Sequence, residues 1–350
     1  MEDVKKYIID RKATVKEALI RLDKLSDNVL TLFVLDEKKM VGTLTDGDVR
    51  RALIRNVSLD TSVEQVMNRS FRYICPNEKN IQKIQCFRKT GIELLPCIDE
   101  MGQIISVYNL KHKKSVLPIS AVLMAGGKGE RLRPLTQNIP KPLLKVGEKA
   151  IIDYNVENLI SYGIDNIFVT TNYLAEQIEE HFNNERQEVT VHCVREKDFL
   201  GTLASVKLIT GIKNDEVLVM NSDLFTNINL EDFYCHFMEK NADMSAAAIP
   251  YSINVPYGVF DLEGNNIRAI IEKPTYNYYA NAGIYLIKKS LLEIIPDGSF
   301  YNATDFMTLL MSIGKTVIRY PLVGYWIDIG KKEDYQKAQD FVKHIRDSND

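Results

Sequence analysis

The sequence predicts an α/β protein, a layered sandwich with a mixed, mostly parallel sheet, preceded by a smaller α/β module. Three observations support this prediction. From residue 119 onward, short apolar strand patterns alternate with helix patterns, which is typical of a parallel sheet covered by helices. The first third of the chain contains an approximate internal repeat. The chain has 350 residues, enough for two or more domains, and 45% of them are hydrophobic.

Composition and charge exclude several classes of protein. No apolar run is long enough to span a bilayer, and the first residues lack the apolar core of a signal peptide. The five cysteines are dispersed without a C-x-x-C pair, which favours reduced thiols in the cytoplasm over disulfides or zinc. The net charge of −3 gives no general basic field for nucleic acid. We therefore expect a cytoplasmic protein that binds neither nucleic acid nor membrane.

The N-terminal repeat consists of two copies, over residues 1–60 and 61–115. In the first copy, a helix pattern over 14–22 precedes a strand over 30–35, and a second strand from residue 41 leads into a helix. In the second copy, a helix pattern over 81–87 precedes strand patterns over 93–98 and 104–107. Residues 111–118 are short and basic, and they predict a solvated linker rather than a nucleic-acid patch.

Beyond residue 118 the predicted elements alternate along the chain. Strands are predicted over 119–124, 166–171, 189–194 and 216–220, and helices over 152–162, 174–183 and 203–208. In folds of this kind, binding sites collect beyond the carboxyl ends of the strands.

A glycine-rich segment follows the first of these strands. Its successive N–H groups can form a nest for phosphate, and nearby cations can neutralise the bound charge. No Ser or Thr follows Lys128, so it is not a P-loop, and Leu132 replaces the third glycine of a dinucleotide fingerprint. A purely structural turn is the alternative. The segment and its Pro-Lys-Pro continuation contain Gly126, Gly127, Lys128, Gly129, Arg131 and Lys141.

The pattern G-G-x-G-x-R-L-x-P-L-T followed by P-K-P resembles the signature of the sugar-phosphate nucleotidyltransferases, and the similarity covers roughly residues 119–340. The resemblance implies a Rossmann-like, GT-A-like three-layer sandwich over residues 119–350. It also implies an enzyme that makes an NDP-sugar and pyrophosphate from an NTP and a sugar 1-phosphate. Arg131 would hold the β- and γ-phosphates and Lys141 the α-phosphate. Further nucleotide-binding residues would be Met124, Ala125, Gly126, Gly127 and Gly129.

Two acidic residues at the ends of apolar strands are candidate metal ligands. Asp223 ends a predicted buried strand, and Asp328 lies in the run 325–330 beside the single tryptophan. The resemblance makes both of them ligands of Mg²⁺, which commonly uses one or two carboxylates together with phosphate oxygens and water. The alternative is that Asp223 or Asn227 is the N-cap of the helix that follows.

The segment 196–204 resembles the family's E-x-x-x-L-G-T-A motif, with Leu203 in place of an alanine. The resemblance places Glu196, Gly201 and Thr202 beside the nucleobase. A carboxylate there suits the two neighbouring donors of guanine, so GTP is the favoured nucleotide. The alternative is a surface loop at a helix start.

Three short motifs in family order form the expected sugar side. Y-G-V, E-K-P and N-A-G-I-Y occur between residues 257 and 285. By resemblance, Lys273 would bind the sugar phosphate, and Glu272 and Asn281 would bind hydroxyls or an amine of the sugar. A surface salt bridge between Glu272 and Lys273 is the alternative. The expected sugar-phosphate residues are Gly258, Glu272, Lys273, Asn281 and Gly283.

The N-terminal repeat resembles a pair of cystathionine-β-synthase (CBS) motifs, a tandem that binds adenine nucleotides. In the first copy Thr45 and Asp48 match the residues that hold ribose hydroxyls, whereas Ser106 and Asn109 replace them in the second. A packing or dimerisation module without ligand is the alternative.

The catalytic domain is most similar to bacterial guanylyltransferases of the mannose-1-phosphate type. Its fusion to a CBS pair resembles the glucosamine-1-phosphate guanylyltransferases of legionaminic acid biosynthesis. Mannose, glucose or heptose 1-phosphate are alternative substrates, and a nucleotide-sensing regulator without turnover is an alternative of another class. We also expect a homo-oligomer.

Overall fold

The computed structural model describes residues 4–25, 29–76, 81–184 and 189–347. These residues form two compact units. The first contains the residues up to Pro118 together with Leu159–Asp165 and Val189, and the second contains the remaining residues from Ile119 onward. The first three residues, included in the signal-peptide prediction, lie outside the described ranges. No helix within those ranges is both long and apolar enough to cross a membrane.

The first unit is built from short strands and helices around one main apolar cluster. Three strands form one sheet in the order β1-β2-β3, and β4 pairs with β5. Leu32 and Phe33 of the first sheet are fully buried in the same cluster as Leu94 and Val107 of the second hairpin. The elements are β1 (Ile8–Asp10), α1 (Val15–Asp23), β2 (Thr31–Asp36), β3 (Lys39–Thr45), α2 (Asp46–Ile54), α3 (Ile81–Lys89), β4 (Leu94–Ile98) and β5 (Ile104–Asn109).

The second unit alternates strands and helices, as the sequence predicts. Its first half contains β6 (Ile119–Ala125), β7 (Lys145–Val146), β8 (Lys149–Ala150), α4 (Ile151–Ser161), β9 (Ile167–Thr171), α5 (Ala175–Asn184), β10 (Val191–Arg195), β11 (Glu216–Asn221), β12 (Leu224–Thr226) and α6 (Leu230–Glu239). Its second half contains β13 (Met244–Asn254), β14 (Val259–Glu263), β15 (Asn266–Ile271), β16 (Thr275–Lys288), α7 (Ala303–Ser312), β17 (Val317–Pro321), β18 (Trp326–Asp328) and α8 (Lys332–Asp347).

A seven-stranded sheet organises the second unit, in the order β10-β9-β6-β11-β16-β13-β17. Four of its six neighbouring pairs are parallel, and the two that involve β16 are antiparallel. The strands β9 and β11 are almost continuously apolar and buried, as expected for strands covered on both faces. The prediction of a mixed, mostly parallel sheet is therefore confirmed.

One predicted helix, over residues 203–208, is shorter and differently wound. The structure has a 3₁₀ helix over Ala204–Leu208 instead. The N–H groups of Leu203 and Ala204 both donate to the carbonyl oxygen of Tyr301, at 3.1 and 3.3 Å. These hydrogen bonds to a distant segment fix the start of the 3₁₀ helix. A local sequence pattern cannot predict such a contact.

The strands β13 and β16 extend well beyond the rest of the sheet. Residues Ala282–Ile287 of β16 are buried in the sheet, whereas its first half pairs with β13 alone among the described residues. The hairpin of β14 and β15 connects the two strands at their far end. We call residues 249–280 the arm.

Candidate active site

A cavity of about 590 Å³ lies at the carboxyl ends of β6 and β11 in the second unit. Because the two strands are neighbours and parallel, the segments that follow them meet at one edge of the sheet. All eleven residues that the sequence predicts for catalysis and nucleotide binding line this cavity. They are Met124, Ala125, Gly126, Gly127, Gly129, Arg131, Lys141, Glu196, Gly201, Thr202 and Asp223.

The glycine-rich loop (residues 126–129) forms one wall of the cavity. A Cβ atom on Gly126 would lie 2.9 Å from Oε1 of Glu196 and 3.3 Å from Cβ of Asn172. Gly129 has a φ of +62°, and its Cβ would lie 3.2 Å from Cβ of Lys141. The two glycines are thus required for close packing and for a left-handed backbone. The loop can present its backbone directly to a ligand.

Glu196 lies in the cavity wall with only 3% of its surface exposed, so the surface-loop alternative is wrong for this residue. Its Oε2 accepts a hydrogen bond from the N–H of Leu200, at 3.1 Å. Burial raises the pKa of the Glu196 carboxyl above its ordinary value, and hydrogen bonds to Leu200 and nearby hydroxyls oppose that shift. Glu196 is therefore a buried hydrogen-bond acceptor beside the glycine-rich loop, and the N–H of Leu200 fixes its orientation. Its contact with a nucleobase stays a prediction.

The two predicted metal ligands meet because two short strands pair. Asp223 immediately precedes β12, and Asp328 ends β18. These strands are antiparallel, with Leu224 directly opposite Asp328. The N–H of Ile329 also donates to the carbonyl oxygen of Asp223, at 3.3 Å. Two carboxylates that lie 105 positions apart in the sequence are thereby neighbours.

Lys141 connects the two acids. Its Nζ forms an ion pair with Asp223 and lies 3.7 Å from Oδ1 of Asp328. Only 8% of Lys141 is exposed. Burial and the neighbouring Asp223 raise the pKa of the Asp328 carboxyl, and the positive charges of Lys141 and Arg131 oppose the rise. The cluster therefore holds two acids whose mutual repulsion a single buried cation relieves only in part.

One acidic oxygen in this cluster has no partner in the described part of the chain. Oδ1 of Asp223 is buried and accepts no hydrogen bond. An unpaired buried carboxylate oxygen is costly, and a cation would satisfy it. No group of three or more His, Cys, Asp or Glu side chains in the described residues could hold a metal. Two acids are nevertheless enough for Mg²⁺, because this ion commonly takes its other ligands from substrate phosphates and water. The unpaired Oδ1 of Asp223 and the neighbouring Asp328 therefore fit Mg²⁺.

Neither Asp223 nor Asn227 caps the helix that follows, so that alternative is wrong. The N-cap of α6 is Asn229, whose side chain accepts from the N–H of Asp232 at 3.1 Å. Oδ1 of Asn227 instead accepts from the N–H of Tyr325, at 2.9 Å. The cap of α6 is thus Asn229, which leaves Asp223 available to the cavity.

The residues predicted for the sugar side do not line the cavity. Gly258, Glu272 and Lys273 lie on the arm, where Glu272 and Lys273 are exposed. Asn281 donates to the hydroxyl of Tyr285, at 2.8 Å. Gly283, on β16, lies against Asn221 of the cavity wall, and its Cβ would come within 2.5 Å of the Asn221 amide. Their roles in sugar binding stay predictions.

Sequence reasoning missed two residues that position Asp223. The first is Ser222, which directly precedes Asp223 and whose Oγ donates to the carbonyl oxygen of Met124 at 2.7 Å. The Nδ2 of Asn155, on α4, donates to the carbonyl oxygens of Ser222 and Leu224, at 3.1 and 2.9 Å. The backbone is thus held on both sides of Asp223. Asn155 lies at helical spacing from the buried Ile151, Ile152 and Leu159, and a polar residue in that apolar stripe of α4 was the available signal.

Phe199 is a further cavity residue that the sequence motifs did not single out. It lies between Glu196 and Gly201 with 47% of its surface exposed, and its ring is 6.0 Å from that of Phe300. A half-exposed aromatic ring at a cavity edge offers an apolar face to a planar ligand.

In the first unit, Thr45 and Asp48 form a capping box at the start of α2. The Thr45 hydroxyl donates to Oδ2 of Asp48 at 2.6 Å and accepts from the Asp48 N–H at 3.2 Å. Both residues therefore have a structural role. A second cavity, of about 990 Å³, has Thr45, Arg50 and Arg72 in its lining, whereas Asp48 is not among the lining residues.

Comparison with known proteins places this site in a family. Residues 120–345 match the family model described as nucleotidyl transferase. A relative in Sulfolobus acidocaldarius, whose mannose-1-phosphate guanyltransferase assignment is provisional, is 32% identical over 63% of this chain, and the match spans 62% of that protein. The D-glycero-alpha-D-manno-heptose 1-phosphate guanylyltransferase of Aneurinibacillus thermoaerophilus is 27% identical over 65% of this chain and 99% of its own length.

Solved structures share the fold. HddC from Yersinia pseudotuberculosis superimposes with a TM-score of 0.50 at 24% identity, over 64% of this chain and 99% of that one. The family model covers well over half of the sequence, and its range contains every residue that lines the cavity. The chain belongs to the nucleotidyl transferase family.

Proposed function

We propose that this protein transfers a nucleotidyl group from a nucleoside triphosphate to a sugar 1-phosphate and releases pyrophosphate. The observation that carries the proposal is that one cavity is lined by the glycine-rich loop, Lys141 and Asp223. Asp328 lies directly beside it, with its Oδ1 3.7 Å from the Lys141 Nζ. The loop fits a triphosphate, and the two acids fit a cation bridging phosphates. The two relatives described above are named for mannose 1-phosphate and heptose 1-phosphate.

The proposed chemistry needs no covalent enzyme intermediate. An oxygen of the sugar phosphate attacks the α-phosphorus in line, the bond to the β-phosphate oxygen breaks, and pyrophosphate leaves. Catalysis then consists of positioning and charge neutralisation. Arg131 holds the leaving phosphates, and Lys141 stabilises charge at the α-phosphate. Asp223 and Asp328 would hold Mg²⁺, which would supply further charge neutralisation when bound.

Guanosine triphosphate is the favoured nucleotide. Glu196 is a buried acceptor in the cavity wall, and it suits the two adjacent donors of guanine. Two of the relatives described above are named as guanyl- or guanylyltransferases. We propose glucosamine 1-phosphate as the acceptor, giving GDP-glucosamine for legionaminic acid synthesis. Mannose or heptose 1-phosphate is the second candidate, favoured by the names of those relatives.

A matrix of four nucleoside triphosphates against glucosamine, mannose, glucose and heptose 1-phosphates tests these proposals. Pyrophosphate release, measured with a coupled pyrophosphatase, should be fastest with GTP and one sugar. Asp223→Asn should reduce turnover by a factor of about 10² or more. The matched control is Asp340→Asn, on an exposed position of α8 outside the cavity, and it should retain activity. An absence of turnover with every pair would favour a regulator without catalysis.

For the first unit, we propose that the cavity beside Thr45 binds an adenine nucleotide, as its resemblance to a CBS pair implies. Arg50 and Arg72 in the lining suit a phosphate, and the volume of about 990 Å³ accommodates a nucleotide. Titration calorimetry with AMP should give a binding signal that Arg50→Ala weakens. Arg55→Ala, just beyond the end of α2 and outside that lining, is the control. A wild-type protein that gives no binding heat and no AMP-dependent shift in melting temperature would contradict the proposal.

A further inference from the structure

Of the described residues that line the cavity, Phe199 is the only aromatic one. It is 47% exposed, whereas Leu132, an apolar residue of the same lining, is fully buried. Covering the open half of such a large apolar side chain with a ligand is favourable, because it removes apolar surface from water. A flat aromatic ring also packs best against a flat partner. The cavity thus has one surface that suits a planar, largely apolar ligand.

A buried hydrogen-bond acceptor lies on the same short loop as Phe199. Glu196 precedes Phe199 by three residues, and its Oε2 accepts from the N–H of Leu200, at 3.1 Å. This hydrogen bond closes the loop around the ring. The glycine-rich loop adjoins the carboxylate, since a Cβ on Gly126 would lie 2.9 Å from Oε1 of Glu196. An acceptor, a backbone without side chains and an aromatic ring therefore adjoin one another in the cavity lining.

A second segment holds this loop in place before any ligand binds. The N–H of Tyr301 donates to the carbonyl oxygen of Leu200, at 2.9 Å. The N–H of Ala303 donates to the hydroxyl oxygen of Thr202, at 3.0 Å. The backbone that follows Phe199 is therefore fixed by hydrogen bonds to a distant part of the chain. A surface that is already ordered loses little conformational freedom when a ligand covers it.

The ring of Phe300 restrains the ring of Phe199. The two ring centroids are 6.0 Å apart and the ring planes are inclined at 57°, so the rings are not stacked face to face. Phe300 is not among the residues that line the cavity. It can therefore influence a ligand only through Phe199, as a positioning residue.

We propose that Phe199 is a specificity-determining residue whose ring packs on the face of a purine base. The inference rests on the proposed function, in which Glu196 accepts hydrogen bonds from the edge of that base. Edge and face contacts do different work: the acceptor selects guanine by its donors, and the ring fixes the plane of the base. A purine offers a larger face than a pyrimidine. Phe199 therefore favours GTP and ATP over UTP and CTP, and Glu196 then favours GTP over ATP.

Titration calorimetry of the full chain with GTP and with inorganic tripolyphosphate tests the proposal, with Mg²⁺ present and no sugar phosphate. Tripolyphosphate has the phosphate chain of GTP but no base. Phe199→Ala should weaken GTP binding about fivefold or more, as loss of an aromatic partner does for a stacked base, and should leave tripolyphosphate binding unchanged. The control is Met311→Ala, an apolar position on α7 that is 57% exposed and outside the cavity lining. It should bind both ligands as the wild type does.

Two further variants distinguish an aromatic face from mere apolar volume. Phe199→Tyr keeps the ring and should keep the GTP affinity within about twofold, whereas Phe199→Leu should lose most of what Phe199→Ala loses. The ratio of GTP affinity to UTP affinity should also fall in Phe199→Ala, because the purine loses the larger contact. A Phe199→Leu variant with wild-type affinity for GTP would contradict the role of the ring.

The outcomes separate this inference from the proposed function. If the wild type binds GTP and Phe199→Ala binds it equally well, the inference is wrong and the proposed function stands. An equal loss of GTP and tripolyphosphate affinity would also overturn the inference, because the ring would then support the phosphate site and not the base. A wild type that binds no nucleoside triphosphate would refute the proposed function and this inference together.

Discussion

Gly126 and Gly127 are adjacent in the glycine-rich loop, but only Gly126 has close neighbours. A Cβ on Gly126 meets the Glu196 carboxylate at 2.9 Å, whereas a Cβ on Gly127 meets nothing within 4 Å. The carboxylate cannot easily move aside, because it is buried and its other oxygen is held by the N–H of Leu200. Glycine at 126 is thus a packing requirement, and glycine at 127 is open to a ligand.

We expect Gly126→Ala to lower the free energy of unfolding of the ligand-free protein by about 1–3 kcal/mol, the usual cost of overpacking. Gly127→Ala is the matched control and should stay within about 0.5 kcal/mol of the wild type. Urea denaturation of the two variants measures both values. If both variants lost the same free energy of unfolding, the cost at position 126 would come from backbone conformation and not from the contact with Glu196.

Asp328 makes stability depend on pH in a predictable direction. Burial and Asp223 raise the pKa of its carboxyl in the folded protein above the ordinary value of 3.8. The folded state therefore binds this proton more tightly than the unfolded state does. Protonated Asp328 therefore stabilises the folded protein at a pH below the ordinary pKa of 3.8. This contribution to the free energy of unfolding is lost as the pH rises through the higher pKa of the folded state.

Asp328→Asn removes that loss, so in the absence of divalent metal its melting temperature should exceed that of the wild type at neutral pH. The difference should shrink as the pH falls toward 4, where the wild-type carboxyl is protonated too. Thermal scans across this range in EDTA measure it, with Asp340→Asn as an exposed control. A variant that is less stable at every pH would show that the ion pair with Lys141 outweighs the burial of charge.

At the scale of elements, the residues on either side of β12 have different roles: Asn229 stabilises a helix, and Asp223 is a candidate metal ligand. Asn229 caps α6, and Asp223 faces the cavity with one oxygen unpaired. Asn155 on α4 and the pairing of β12 with β18 hold the backbone between them. Cap and candidate ligand are therefore distinct, although they lie only six positions apart.

Asn229→Ala should destabilise the protein by about 1 kcal/mol, the usual cost of losing an N-cap, and should leave turnover nearly unchanged. Asp223→Asn should do the reverse, with turnover lost and stability kept or raised. Chemical denaturation and pyrophosphate release, measured on both variants, test the pair. Loss of turnover in Asn229→Ala at a temperature where it remains folded would contradict this division of roles.

At the scale of the whole molecule, the cysteines report on packing. None of the five forms a disulfide, and only Cys75 and Cys86 are exposed. Burial raises the pKa of Cys193 to about 11, with a smaller contribution from Glu179. Burial also raises the pKa of Cys235, with a contribution from Glu231. The thiolate is the reactive form, so these groups should react slowly.

We expect Ellman's reagent near pH 8 to modify two thiols quickly in the native protein and five after denaturation without reductant. Mass spectrometry of the modified peptides should identify Cys75 and Cys86 as the fast pair. Fewer than five thiols in the denatured, unreduced protein would indicate a disulfide. Rapid modification of Cys193 would indicate that β10 opens readily.

Much of the fold could be predicted because local patterns carry it. The apolar runs of β6, β9 and β11 and the helix patterns of α4 and α5 depend on residues within each element. The wall of the cavity was predictable for the same reason, since the glycine-rich loop and Asp223 directly follow two of those strands. The helix predicted over 203–208 is present over Ala204–Leu208, but its 3₁₀ winding could not be predicted, because hydrogen bonds to the distant Tyr301 hold its start.

The sequence alone determined which residues follow the strand ends and which charges the cavity carries, because those features belong to single segments. The tertiary structure alone decided that Asp328 stands beside Asp223, since this depends on the register of two three-residue strands a hundred positions apart. It also decided that Glu272 and Lys273 lie on the exposed arm rather than in the cavity wall. The direction of the arm follows from long-range pairing with the central sheet, which no local pattern records.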